Sequence, residues 1–226
     1  QIRSSAASDV YKRQHPARVK GLHRQFLDAG SDLILTNSFG GTSFRLKLHN
    51  AQDRVHELNM AAATLAREAA DEHASETGRT VLVAGSMGPT GELFAQHGPL
   101  DHAGAVAGFA DQAEALAEGG VDLLWIETIS SLEEVNAALE AARKTGLKVA
   151  ATMTFDTAGK SMMGVDPADY ARHVASAGAV ALGGNCGVGP AELMHSILAM
   201  QGEMDAAHDT PPVSYTHLRA HETRIH

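Results

Sequence analysis

The sequence has a single cysteine, Cys186, in 226 residues, so no intrachain disulfide framework exists. Basic charge is also short: 18 Lys and Arg against 27 Asp and Glu give a formal net charge of -9. Nucleic acid and anionic membranes need a positive face, so neither is expected as a partner. No apolar run reaches 18 residues, and the N-terminus lacks the basic-then-apolar layout of a signal peptide. The default expectation is a soluble cytoplasmic protein. An initiator Met is missing as well; the chain opens on Gln1.

What is present divides into a patterned middle and two unpatterned ends. Residues 1–14 (QIRSSAASDVYKRQ) and 213–226 (VSYTHLRAHETRIH) show no clean period for helix or strand. Both resemble translated adapter sequence, so they are expected to be non-native; two real disordered tails are the alternative. His217, His221 and His226 lie in the second stretch and are assigned no role. The region 15–212 is large enough to bury one sizeable core, with 44% of the whole chain apolar.

Within that region strand and helix alternate. Val19, Leu22, Phe26 and Leu27 recur at helical spacing after Pro16, and Gly30 ends the pattern. Short apolar runs predict buried strands at 32–37, 80–85, 121–126, 148–154 and 179–184. Helices are predicted at 49–76, 101–118, 131–145 and 166–177, with one more starting at Pro190. Ser131 and Glu134 have capping-box spacing at the start of the third of these. His56 and His73 fall inside the long helix and are expected on its surface.

Strands separated by whole helices must pair in parallel with right-handed crossovers. The candidates are a (β/α)8 barrel and an open doubly wound sheet. No G-x-G-x-x-G fingerprint follows the first strand, and polar or glycine residues cluster after each strand: Asn37, Ser86, Glu127, Asp156, Asn185. A barrel collects such residues on its active rim. Five strands are visible, fewer than a closed barrel needs.

Glu127 ends the run Val-Asp-Leu-Leu-Trp-Ile-Glu. A carboxylate beside a buried strand is costly unless paired. It either receives a cationic substrate group, such as an α-ammonium, or serves a salt bridge or cap. Cys186 sits in Gly183-Gly-Asn-Cys-Gly-Val-Gly-Pro190, between a strand and a helix start that would favour a thiolate. It could be a nucleophile, a zinc ligand, or incidental to a phosphate cradle. A nucleophile would want a nearby histidine base, and the loop has none. Asn37 and its following glycines, and Gly85-Ser-Met-Gly-Pro89, read as tight turns; Asp156 reads as a turn residue.

Taken in order, Asp32-Leu-Ile-Leu-Thr-Asn-Ser-Phe39, Gly85-Ser-Met-Gly-Pro89, Trp125-Ile-Glu-Thr128 and Gly183-Gly-Asn-Cys-Gly187 resemble the homocysteine S-methyltransferase family. The resemblance spans essentially all of 15–201. It implies a zinc (β/α)8 barrel whose metal is held by three cysteines, the first in a loop that Cys186 matches. The other two form an adjacent pair that this chain lacks, as it lacks the family's opening Asp-Gly strand. Both absences are expected of a partial barrel holding strands two to six, and such a fragment is expected to be inactive. Glu127 matches the glutamate that binds the homocysteine amino group, with Asn37, Ser86 and Asn185 as further substrate-binding candidates. The implied reaction moves a methyl group to the thiol of homocysteine, giving methionine, with Zn2+ in place of a general base. The donor is betaine, S-methylmethionine, or methyltetrahydrofolate by way of cobalamin. Thr128 stands where the betaine enzyme of animals resembles Glu-Tyr, which weakens betaine. An unrelated barrel enzyme holding a phosphorylated ligand at 183–189, or a non-catalytic binding module, is the alternative, and oligomeric state is not legible.

Overall fold

The computed structural model describes residues 15–94, 98–203 and 212–215. In chain order the elements are α1 (Pro16–Asp28), β1 (Leu33–Leu35), α2 (Ser43–Leu46), α3 (Val55–Thr77), β2 (Leu82–Met87), α4 (His102–Glu118) and β3 (Leu123–Ile129). These are followed by α5 (Leu132–Arg143), β4 (Lys148–Met153), α6 (Pro167–Ser176), β5 (Ala181–Asn185), α7 (Pro190–Glu203) and β6 (Pro212–Tyr215). The strands hydrogen-bond in chain order, and β1–β2, β2–β3 and β5–β6 run parallel. A doubly wound sheet reverses its strand order at a switch point; a barrel advances one strand at a time. The order here is the barrel's, and the fold is a partial (β/α)8 barrel.

The chain forms two compact units, Gln1–Glu127 with Glu133–Ala150, and Thr128–Leu132 with Ala151–His226. In the first, alanine-rich helices pack on the sheet. Leu58, Ala62, Ala66, Ala69 and Ala70 line the buried face of α3, and Val106, Phe109, Ala113 and Leu116 that of α4. Small side chains bring the two helices close: a Cβ on Gly119 would meet Ala63 Cβ at 2.4 Å. In the second unit Tyr170 is fully buried and meets Phe155 edge-on, ring centroids 5.9 Å apart. Met153, Val174, Leu182 and Met200 are also buried there.

Helix starts follow local chemistry. Asp101 caps α4 by accepting from Gly104 N at 2.7 Å, and Asp166 caps α6 by accepting from Ala168 N at 3.0 Å. Three expectations are corrected. The long helix begins at Val55 rather than His49, because Asn50 turns left-handed at φ 52° and breaks 47–54 into two turns of 3-10 helix. His73 is not on the surface but 3% exposed, on the face of α3 turned to α1. Ser86, Glu127 and Asn185 lie inside the last residues of their strands rather than after them. Glu134 also ties α5 to the loop after β2: its Oε1 accepts from Thr90 N at 2.8 Å and Thr90 Oγ1 at 2.6 Å. Its carboxyl is pushed up by burial, against the pull of those two bonds.

Residues 212–215 pair with β5 in the register Leu182↔Pro212 to Asn185↔Tyr215. Three of them belong to the stretch read as unpatterned. Ladder bonds use backbone groups and ask for no side-chain period. The expectations for residues 1–14 and 216–226 lie outside the described residues. No helix among the described residues is long and apolar enough to cross a membrane.

Candidate functional site

The candidate residues gather in two clusters, one in each unit. In the first unit, β2 and β3 pair with Ser86 level with Trp125, so Glu127, two residues on, faces the same side as Ser86. The Ser86 hydroxyl donates to Glu127 Oε1 at 2.5 Å, and the two residues are 2% and 1% exposed. A hydroxyl held against an ionised carboxylate is a strong, charge-assisted bond, and it offsets part of the desolvation of Glu127.

The loop after β1 folds under this pair. Ser86 N donates to Thr36 Oγ1 at 2.9 Å, and Ser38 Oγ donates to Ser86 O at 2.7 Å. Thr36 and Ser38 share a hydroxyl bond of 2.6 Å. Gly88 N donates to Phe39 O at 3.0 Å, and a Cβ on Gly88 would lie 2.6 Å from that same oxygen. Only glycine lets these two loops approach so closely. Asn37 sits half-buried in the bend between Thr36 and Ser38.

Behind the loop, Gln112 of α4 donates from Nε2 to Ser38 O at 2.7 Å and to Asn59 Oδ1 at 3.1 Å. Asn59 of α3 donates to Gly41 O and Val55 O, both at 2.8 Å. Both amides are fully buried. Sequence reading missed them. The available signal was a polar residue inside each apolar helical stripe, Asn59 beside Leu58 and Gln112 between Phe109 and Ala113.

The second cluster lies where β3 and β5 end. Asn185 is fully buried; its Oδ1 accepts from Thr128 N at 3.0 Å and its Nδ2 donates to Thr128 Oγ1 at 2.6 Å. The same Nδ2 donates to Cys186 Sγ at 3.3 Å. Thr154 Oγ1 donates to Asn185 O at 2.8 Å, fixing the backbone just before the half-buried thiol. Thr128 and Cys186 take left-handed backbone, φ 62° and 59°, uncommon outside glycine and a genuine outlier for a β-branched threonine. Asp156 is exposed and lies just before the turn at 158–159 rather than in it, accepting from Thr157 Oγ1 at 3.1 Å.

The structure thus brings Ser86 to Glu127 and Asn185 to Cys186. Among the described residues no group of three or more His, Cys, Asp or Glu could hold a metal ion. A groove of about 460 Å³ lined by Pro16, His56, Met60 and Leu65 flanks α3 and contains none of the candidate residues.

Parallel strands in sequential order, with polar residues at their C-terminal ends, define a partial β/α barrel with its polar groups gathered at the strand ends. A family profile described as Homocysteine S-methyltransferase matches residues 2–221, and the chain belongs to that family. It is 29% identical over 192 residues to methionine synthase of Mycobacterium tuberculosis, covering 82% of this chain but only 16% of that protein. Among solved structures it is similar to the homocysteine methyltransferase MmuM from Escherichia coli. The metallated form superposes with a TM-score of 0.83 at 22% identity, covering 96% of this chain and 77% of that one. The oxidized form gives 0.76 at 20% identity over 97% and 86%, which again speaks for the fold.

Proposed function

We propose that this chain carries the homocysteine-binding part of an enzyme that transfers a methyl group to the homocysteine thiol, giving methionine, in a zinc-dependent reaction of the intact cytoplasmic protein. The observation that carries the reading is Glu127, a buried carboxylate at the end of β3 with one oxygen held by Ser86. A buried anion in that setting suits the α-ammonium of an amino acid, and the pairing would fix the substrate's orientation. Asn37, in the bend after β1, is proposed as a further contact for the amino acid. Asn185 contributes through the groups it holds, the Thr128 backbone and the Cys186 sulfur.

Zinc is part of the proposal for the intact protein, with Cys186 as one ligand. The residues described here do not make that site. Structural and catalytic zinc take about three or four ligands, and this chain has one cysteine and, among the described residues, no cluster to join it. No step is therefore derived through the metal. The reaction itself is an in-line displacement in which the homocysteine sulfur bonds to the methyl carbon as the donor's leaving group departs. The donor is proposed to be S-methylmethionine or methyltetrahydrofolate through cobalamin, with betaine less suited by Thr128.

The test is calorimetric titration of the 226-residue chain with L-homocysteine, with and without Glu127→Gln. The substitution keeps the shape and removes the charge. An affinity loss of roughly tenfold or more is expected for a charge-assisted bond. Undiminished affinity would remove Glu127 from the site.

A further inference from the structure

Resting on the reading that an amino acid binds at these strand ends, we infer that Arg45 receives a carboxylate of the bound ligand. Arg45 lies on α2, in the connection that leaves the C-terminal end of β1. That connection bonds to Ser86 through Ser38 and to Gly88 through Phe39. Arg45 therefore stands at the same end of the sheet as the Ser86–Glu127 pair. The chain is rich in acid, and Arg24, Arg54, Arg67, Arg79 and Arg172 each pair with a carboxylate. Arg45 does not. Among the described residues its guanidinium makes no hydrogen bond or ion pair, and its Nε is buried without a partner. Taking a charged N–H out of water without an acceptor is costly, and an anion brought by a ligand offsets that cost.

The cation is also held in place before any ligand arrives. Arg45 N donates to Thr42 Oγ1 at 3.4 Å, and Leu46 is buried with Ala51, Val55 and Leu58. On the other side Phe44 lies against α4, where a Cβ on Gly108 would be 2.4 Å from its Cε2. The guanidinium rests on Gly91, in the loop after β2: a Cβ there would lie 2.7 Å from Arg45 Nη1, so any larger residue would displace it. Thr90, next to that glycine, is anchored by its two bonds to Glu134. A fixed guanidinium loses little freedom on binding, and its planar fork matches a carboxylate with two parallel bonds. Homocysteine and S-methylmethionine both carry that group.

Calorimetric titration of the full chain compares each acid with its decarboxylated analogue. L-Homocysteine is set against 3-aminopropane-1-thiol, and S-methylmethionine against (3-aminopropyl)dimethylsulfonium. Arg45→Gln is expected to weaken an acid roughly tenfold, the size of a lost charge-assisted contact, and to leave its analogue unchanged. A loss on homocysteine assigns the carboxylate to the amino-acid substrate; a loss on S-methylmethionine alone assigns it to the methyl donor. Unchanged affinity for both acids, or equal weakening of acid and analogue, overturns the inference. If homocysteine binding still responds to Glu127→Gln in that case, the ammonium reading stands and only this one falls. The reverse pattern, a response to Arg45→Gln but none to Glu127→Gln, removes the ammonium reading and keeps this one. A chain that binds neither acid overturns both. Should Arg45→Gln lose its folded circular dichroism spectrum, Arg45→Met, which keeps an unbranched stem and buries no N–H, is read by the same criteria.

Discussion

Asn185 shows how much one side chain can hold. Its amide satisfies the backbone N–H of Thr128, the hydroxyl of Thr128 and the sulfur of Cys186, while Thr154 secures its own carbonyl. The two residues it joins both carry left-handed backbone. Such conformations cost on the order of 1–3 kcal/mol and persist only where neighbours impose them. Removing the amide leaves the part-buried Thr128 N–H without this acceptor. Asn185→Ala is expected to lower unfolding stability by about 2–3 kcal/mol, read as a shifted midpoint in urea with an unchanged slope. A loss under 0.5 kcal/mol, the size of an ordinary surface change, would mean that the strand ends hold themselves.

At the scale of elements, the packing of α1 on α3 carries a pH dependence. The outer edge of their contact is charged: Lys20 bonds Glu72 at 2.6 Å and Glu68 at 3.2 Å, and Arg24 pairs with Asp28 and Glu76. These pairs are exposed, so solvent and salt screen them and they add little to stability. Inside lie two histidines. His23 is 6% exposed, and burial holds its pKa down to about 4 from the usual 6.5. His73 is 3% exposed, its Nδ1 3.5 Å from Asp28 Oδ1. Because His23 is depressed in the folded state, the unfolded chain takes up its proton first as pH falls. Stability is whole above about pH 6.5 and declines between 6.5 and 4, by on the order of 3 kcal/mol in all. His23→Leu is expected to flatten that slope in thermal melts from pH 7.5 to 4.5; a slope that survives would assign it to other groups.

For the whole molecule, the ligand count decides what the chain can bind. It spans 16% of the Mycobacterium tuberculosis methionine synthase and 77% of the Escherichia coli enzyme chain. Its single cysteine belongs to no group of three or more His, Cys, Asp or Glu among the described residues. Zinc affinity rises steeply with ligand number, because each deprotonated ligand adds to a binding energy that a lone thiolate cannot approach. The 226-residue chain is expected to retain well under one equivalent of zinc after dialysis, measured by atomic absorption. One tightly held equivalent that disappears in Cys186→Ala would show that further ligands come from residues outside those described.

Much of this was legible in the order of residues. Alternating apolar runs and helical stripes located every strand from β1 to β5, because buried parallel strands and amphipathic helices must have those periods. Three short motifs singled out Ser86, Glu127, Asn185 and Cys186 as polar groups at strand ends, since strand ends in this fold gather polar groups. Helix starts at Asp101 and Asp166 were likewise local matters of side chain and backbone. Position along the chain could not say which side a residue faces once helices pack: His73 is indistinguishable by spacing from a surface histidine until α1 covers it. Nor could it join Gln112 to Ser38 across 74 residues, or assign Glu134 to Thr90 across 44. Those bonds exist because parallel crossovers return distant strand ends to neighbouring positions. The sequence by itself determined the elements and the chemistry of the strand ends; only the tertiary structure decided which polar groups meet, because hydrogen bonds depend on distances that periodicity does not contain.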